Sequence, residues 1–226
     1  MNGKQAAGEL AVKYIQDGMN VGLGTGSTVY WTILKLGERV REGLQVRAVP
    51  TSVRTEELAR EQGIPLIQFA DLARPLDLTI DGADEVNPQL SLIKGGGGAL
   101  LREKLVAAYS ERFIVVADDT KEVAALGRFP LPVEVVPFGW EITSRRLAAL
   151  GCEPILRRSD RDGTTYHTDN GNYILDCRFG TISDPGSLGR ELNALPGVVE
   201  HGLFVGMAER CLLGGENGSV REIVIR

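Results

Sequence analysis

Short aliphatic and β-branched runs alternate with helix-period segments up to residue 117, and this alternation constrains the fold more tightly than any other feature. Strands at 20–23, 45–49, 65–69, 77–80 and 113–117, separated mostly by helices such as 29–41 and 53–61, predict a largely parallel, doubly wound α/β sheet. A first helix is expected over 5–16, where Ala6, Leu10, Ala11, Tyr14 and Ile15 keep helical spacing and Gly18 offers a stop. After Pro130 the texture changes to strand 131–136, helix 140–150, strands 154–158 and 172–177, and helix 186–195, a small α+β unit. The tail 208–225 reads as two strands around Glu216-Asn217-Gly218-Ser219, returning to the first unit. The expected division is residues 1–130 plus 206–226 in one domain and 131–205 in the other.

Charge narrows the partners. With 25 basic against 30 acidic residues the net charge is −5, which argues against nucleic acid, so an anionic ligand must be held by local groups. Residues 1–10 contain Lys, Gln and Glu with no apolar signal-type core, and no stretch approaches a membrane span. The expectation is a cytoplasmic protein without a membrane partner. Cys152, Cys177 and Cys211 are an odd, widely spaced set that suits reduced packing residues. His167 and His201 lack zinc-type spacing, so no protein-held transition metal is expected.

Chemistry concentrates at strand ends. Gly24-Thr25-Gly26-Ser27-Thr28 follows the first strand and opens a helix, where backbone N–H groups and hydroxyls can hold an anion. The same residues also serve as an ordinary tight turn and helix cap. The spacing is neither G-x-G-x-x-G nor a P-loop, and Pro50-Thr51-Ser52 supplies no ribose-binding acid, so a small phosphorylated ligand fits better than NAD or ATP. Asp81-Gly82-Ala83-Asp84-Glu85 follows an apolar strand at the crevice edge, where acids can meet substrate hydroxyls or merely form a turn. Three acids would also suit Mg²⁺ or Ca²⁺, but the regular calcium-loop spacing is absent.

The run Lys94-Gly95-Gly96-Gly97-Gly98 carries a large entropic burden, tolerable where backbone must approach a ligand. A helix pattern starting at Ala99 leaves no room for a flexible linker. Glu103 then falls in the first turns of that helix, whose dipole favours an ionised carboxylate suited to a general base, although a first-turn Glu is also plain helix design. Asp118-Asp119-Thr120-Lys121 follows another strand end, which makes Lys121 either a phosphate or hydroxyl contact or a surface lysine.

Together these segments, with Thr51-Ser52, Leu131 to Phe138, Asp184-Pro185 and Leu192 to Phe204, resemble the ribose-5-phosphate isomerase family of the A type nearly end to end. Val29 stands where Ala is expected and Leu101 where Thr is frequent; neither removes a proposed catalytic group. The resemblance implies a Rossmann-like catalytic domain, a smaller ferredoxin-like domain, a homodimer or homotetramer, and no cofactor. It implies interconversion of ribose 5-phosphate and ribulose 5-phosphate in pentose phosphate metabolism, by proton transfer through an enediolate. Glu103 would be the base; Lys94 and adjacent glycine amides would stabilise the enediolate oxygen; Asp81 and Asp84 would handle hydroxyls and their protons. Thr25, Gly26, Ser27, Thr28 and Lys121 would hold the sugar phosphate, with Gly82, Ala83, Gly95, Gly96 and Gly97 lining the same site. A hydride shift, the competing chemistry, normally uses a divalent metal.

Overall fold

Local signals in the chain place its helices. In a computed structural model, which describes residues 2–225, α1 (Gly3–Ala11) is capped by Asn2, whose side chain accepts the Gln5 N–H at 2.9 Å. The helical pattern expected to reach residue 16 tightens into a 3₁₀ turn at Val12–Tyr14 and stops before Gly18. β1 (Asn20–Leu23), α2 (Val29–Arg41), β2 (Arg47–Pro50), α3 (Val53–Glu61) and β3 (Leu78–Asp81) follow, with Ser52 capping α3 through the Thr55 N–H at 3.1 Å. Segment 65–69 differs from expectation. Leu66 makes only a lone parallel bridge to Ala48 before a 3₁₀ turn at Phe69–Asp71; Pro65 has no N–H to extend the ladder.

Next come the two-residue strands β4 (Glu85–Val86) and β5 (Leu92–Ile93), which the sequence pattern did not show, then α4 (Leu100–Ala108) and β6 (Phe113–Asp118). The second half runs β7 (Leu131–Val135), α5 (Trp140–Ala148), β8 (Glu153–Leu156), β9 (Tyr173–Arg178), α6 (Pro185–Asn193) and β10 (Val198–His201). It closes with β11 (Leu203–Phe204), β12 (Arg210–Gly214) and β13 (Val220–Val224).

The main sheet has the order β13-β12-β6-β3-β1-β2, parallel throughout except for the antiparallel edge strand β13. The tail thus returns to the first sheet as expected, turning between β12 and β13 at Glu216 and Asn217. Period-two alternation divides the faces. Val21, Leu23, Leu78, Ile80, Ile114 and Val116 pack against α1 and α2, whereas Phe113, Val115 and Ala117 join Ala107 of α4 on the other side. Going from β1 the chain moves outward to β2, then recrosses to β3; the carboxyl ends of β1 and β3 therefore flank a topological switch point, where open α/β sheets bind ligands.

The second sheet, β10-β7-β9-β8, is antiparallel. Its β-α-β-β-α-β element order is the ferredoxin-like arrangement, and α5 and α6 cover a core of Leu131, Val133, Val135, Leu147, Leu175 and Leu192. A small sheet, β11-β5-β4, carries the segment between β3 and α4 across to the end of β10. All three cysteines are buried free thiols. Among the described residues no helix is long and apolar enough to cross a membrane.

Candidate active site

Strand alternation decides where Asp81 goes. Leu78 and Ile80 enter the core beneath α1 and α2, so Thr79 and Asp81 face α4; Thr79 bonds Ser110 at its far end at 2.7 Å, and Asp81 is fully buried. Asp81 Oδ1 accepts the N–H groups of Thr25 at 3.0 Å and Gly82 at 2.7 Å. This fit requires glycine at position 24, because a Cβ there would lie 2.1 Å from Asp81 Oδ1 and 2.5 Å from its Cα. Gly24 thus lets the first loop pack directly on the second.

Lys94 leaves β5 and enters the same space. Its ammonium donates to Gly82 O at 2.6 Å and Glu103 Oε1 at 3.0 Å, and forms an ion pair with Asp81 Oδ2 at 3.1 Å. The Phe204 ring covers it at 5.4 Å. One cation between two buried carboxylates leaves an excess negative charge in a low-dielectric site, and Glu103 feels it most. Burial, with the nearby Asp81 charge, pushes the Glu103 carboxyl up from 4.5 to about 8 against the opposing pull of Lys94. Burial alone would lower the Lys94 ammonium, but the charges of Asp81 and Glu103 outweigh it and raise its pKa. Among the described residues Glu103 Oε2, like Asp81 Oδ2, is buried without a hydrogen-bond partner, and it is the Glu103 oxygen that Lys94 leaves available for a reacting proton.

Asp84 stands one loop further out. Its Oδ2 accepts the Gly96 N–H at 2.7 Å, and a Cβ on Gly96 would meet its Oδ1 at 2.5 Å. The glycine run earns its composition here: Gly95 and Gly98 take φ of +103° and +79°, and a Cβ on Gly98 would lie 2.1 Å from the Tyr166 hydroxyl. Gly97 faces Thr25 across the crevice. Among the described residues the amides of Gly95 and Gly97 have no protein acceptor.

Within the first loop, the roles divide between side chain and backbone. The Thr25 hydroxyl turns inward to Thr51 at 2.8 Å, Ser52 at 2.8 Å and Thr55 at 3.1 Å, so this side chain braces the loop. Thr28 starts α2 without a side-chain cap bond, and the amides of Gly26, Ser27 and Thr28 have no protein acceptor among the described residues. Gly26 and Ser27 border a cavity of about 370 Å³ also lined by Lys4, Trp31 and Arg54. Lys121 sits in a 3₁₀ turn at the carboxyl end of β6, the same sheet edge, with no ion pair among the described residues. A cavity of about 400 Å³ at the amino ends of β1 and β2, lined by Gly18, Val46, Arg47 and Pro65, has no comparable set of groups.

The structure therefore brings Asp81, Gly82, Lys94 and Glu103 into direct contact and sets Asp84 with Gly96 beside them. Ala83 packs against the core at the back of that loop. It takes Glu85 away: both its oxygens bind the other side of the fold, accepting Gly127 N–H at 2.7 Å and Phe129 N–H at 2.6 Å. No three His, Cys, Asp or Glu side chains among the described residues are grouped to hold a metal ion. The place between Asp81 and Glu103 that a cation would favour is filled by the Lys94 ammonium.

Known proteins resemble this chain in sequence and fold. The sequence model of the family described as "Ribose 5-phosphate isomerase A (phosphoriboisomerase A)" matches residues 47–218. A ribose-5-phosphate isomerase A from Bacillus mycoides (strain KBAB4) is 54% identical over 219 residues, covering 96% of this chain and 98% of the relative. The chain belongs to the ribose 5-phosphate isomerase A family. Among solved structures of this name, that from Methanocaldococcus jannaschii superimposes with a TM-score of 0.93 at 40% identity, covering 98% of each chain. A D-ribose-5-phosphate isomerase structure in complex with phospho-erythronic acid gives 0.94 at 38% identity, over 98% of this chain and 97% of that one.

Lys4 belongs to the site without standing out in the sequence. Its ammonium donates to Ser27 Oγ at 3.0 Å and lies 3.9 Å from Asp118 Oδ2, placing a cation beside the free amides of the anion loop. The signal was weak: a lysine on the first turn of a helix reads as surface, and only the packing of α1 with its N-terminus at the carboxyl ends of β6 and β12 brings it to the loop. The bracing hydroxyls of Thr51, Ser52 and Thr55 were legible in part, through the Thr-Ser pair that ends β2.

Proposed function

We propose that this protein interconverts ribose 5-phosphate and ribulose 5-phosphate by metal-independent proton transfer through an enediolate. The observation that carries this reading is the buried Asp81–Lys94–Glu103 triad, with one Glu103 oxygen held by Lys94 and the other free. Family membership supplies the substrate class; a similar structure was solved with phospho-erythronic acid, itself a phosphorylated sugar acid.

In the open-chain aldose, Glu103 takes the proton from C2, and the electron pair of that bond forms the C1–C2 double bond as the carbonyl π electrons move to O1. The same carboxyl returns the proton to C1, while one hydroxyl proton moves from O2 to O1. Atoms and charge balance with no co-reactant. Lys94 and the Gly97 amide stabilise the developing oxyanion, and Asp81 and Asp84 serve the hydroxyl protons, including ring opening. The amides of Gly26, Ser27 and Thr28, with Lys4 and Lys121, hold the phosphate end. Thr25, Gly82, Ala83, Gly95 and Gly96 shape the pocket around these groups.

The reading extends to a homodimer or homotetramer working in the cytoplasm within pentose phosphate metabolism. Residues 1–130 plus 206–226 form the catalytic domain and 131–205 the smaller one. Conversion of ribose 5-phosphate after exhaustive chelation, with folded Glu103→Gln assayed beside the parent, tests the mechanism. Activity that survives the chelator and collapses in the variant supports it; activity lost only on chelation overturns the metal-free step.

A further inference from the structure

The second sheet reaches into the site through one side chain. Arg157, just after β8, donates from Nη1 to Gly95 O at 2.9 Å and Gly96 O at 3.1 Å. Its other edge is gripped by Asp176 of β9, through Nε at 2.9 Å and Nη2 at 2.5 Å. The guanidinium also lies 5.8 Å from the Tyr166 ring, whose hydroxyl stands 3.5 Å from Gly97 O. The Arg157 side chain is only 13% exposed, so this is a largely desolvated fork.

A trans peptide unit is planar, with its C=O and N–H pointing in opposite directions. The carbonyl of Gly95 shares a plane with the amide of Gly96, and the carbonyl of Gly96 with the amide of Gly97. Pulling both carbonyls toward the second sheet therefore turns both amides toward the first. One of them, Gly96 N–H, binds Asp84 Oδ2 at 2.7 Å, and the other, Gly97 N–H, has no protein acceptor among the described residues and lies on the residue facing Thr25. Glycines have no side chain to fix such planes, and a run of four needs an external hold.

We infer that Arg157, braced by Asp176, is a positioning residue for the isomerisation: it sets the two peptide planes that aim the Gly97 amide at substrate and lock Asp84 in place. This rests on the isomerase reading for its kinetic consequence, but the peptide orientation can be measured without it. Arg157 touches no reacting atom.

The test combines Arg157→Ala, Arg157→Lys and Asp176→Asn with steady-state kinetics, thermal unfolding and amide exchange of ¹⁵N-glycine-labelled protein. Loss of the fork should lower kcat about 10²-fold in Arg157→Ala, the scale of a 1 Å misplacement near the chemistry. KM should move less, and the pH profile of kcat/KM should keep its midpoint because the Glu103 contacts are untouched. Lysine, a single point donor, should recover only part of the loss, and added guanidinium chloride at subdenaturing concentration should restore activity to the alanine variant and not to the parent. Exchange at Gly96 should accelerate while core amides stay protected. Parental kcat in folded Arg157→Ala overturns the inference, as does unchanged Gly96 exchange. If that variant does not fold, full activity in both Arg157→Lys and Asp176→Asn overturns it instead. A parent that does not isomerise ribose 5-phosphate defeats the functional reading alone, and Gly96 exchange in the variants then decides the positioning role by itself.

Discussion

Replacing Glu103 by Gln separates the chemistry of the site from its architecture. The amide is isosteric, so its oxygen can keep the 3.0 Å contact with Lys94, whose ammonium also retains Asp81 and Gly82 O. The NH₂ group must then occupy the position of Oε2, which has no protein partner, and an orphaned buried donor costs about 1–3 kcal/mol. Against this stands the removal of an uncomfortable charge. Because the folded carboxyl titrates near 8 and its ordinary value is 4.5, the stability it contributes is fully present below 4.5 and is lost as pH rises through about 8. The variant has no such loss, so its stability relative to the parent should improve steadily across that window. Activity should behave oppositely: losing the base removes about 10²- to 10⁴-fold in kcat, or roughly 3–5 kcal/mol of transition-state stabilisation. The assay pairs the rate of ribulose 5-phosphate formation with denaturant unfolding at several pH values. A folded variant with parental kcat refutes the base assignment, and a stability difference that does not vary with pH refutes the buried-charge argument.

The parent's own pH dependence follows from the same carboxyl: kcat/KM should rise with pH toward about 8 as Glu103 loses its proton and then level off, and a profile already flat from pH 5 contradicts it. Gly24→Ala should drive a methyl into Asp81, costing about 1–3 kcal/mol of stability and most of the activity, which calorimetry and kinetics on one sample will show. Lys4→Ala should raise KM for ribose 5-phosphate more than it lowers kcat, since the ammonium sits at the anion loop, away from the triad; an effect confined to kcat would misplace it. Glu85→Ala should leave kcat per folded molecule unchanged while denaturant unfolding shows a loss of roughly 1–3 kcal/mol for each of the two amides it orphans.

Local signals in the sequence reach a definite depth. β1, β3 and β6 were visible because they are apolar on both faces, and the ferredoxin-like half because its two helices and three of its four strands have clear periods. β4, β5, β10 and β11 were not: two-residue strands have no period, and β10 lies within a stretch whose apolar residues carry no distinct alternation. Candidate site residues followed the same rule. Asp81, Asp84 and Lys94 stand beside glycines or at strand ends, and Glu103 falls in the first turns of the helix that opens directly after the glycine run. Lys4 and Arg157 do not stand out, because each acts through a contact that only tertiary packing creates.

Glu85 and Asp84 show why adjacency in sequence is insufficient. Both follow the same strand, yet the chain enters β4 between them, so Asp84 meets Gly96 while Glu85 turns to bind the backbone of Gly127 and Phe129. One carboxylate is thereby placed in the crevice and its neighbour holds the segment leading to the second sheet against the first. The Glu85 contacts fix the segment leading into the second sheet, and the Arg157 fork holds the glycine run itself. A site whose most pliable segment is four glycines long keeps its geometry through an anchor outside that segment, and Arg157 is the one that reaches it. The second sheet is therefore part of the catalytic design, although every candidate catalytic carboxylate comes from the first half of the chain.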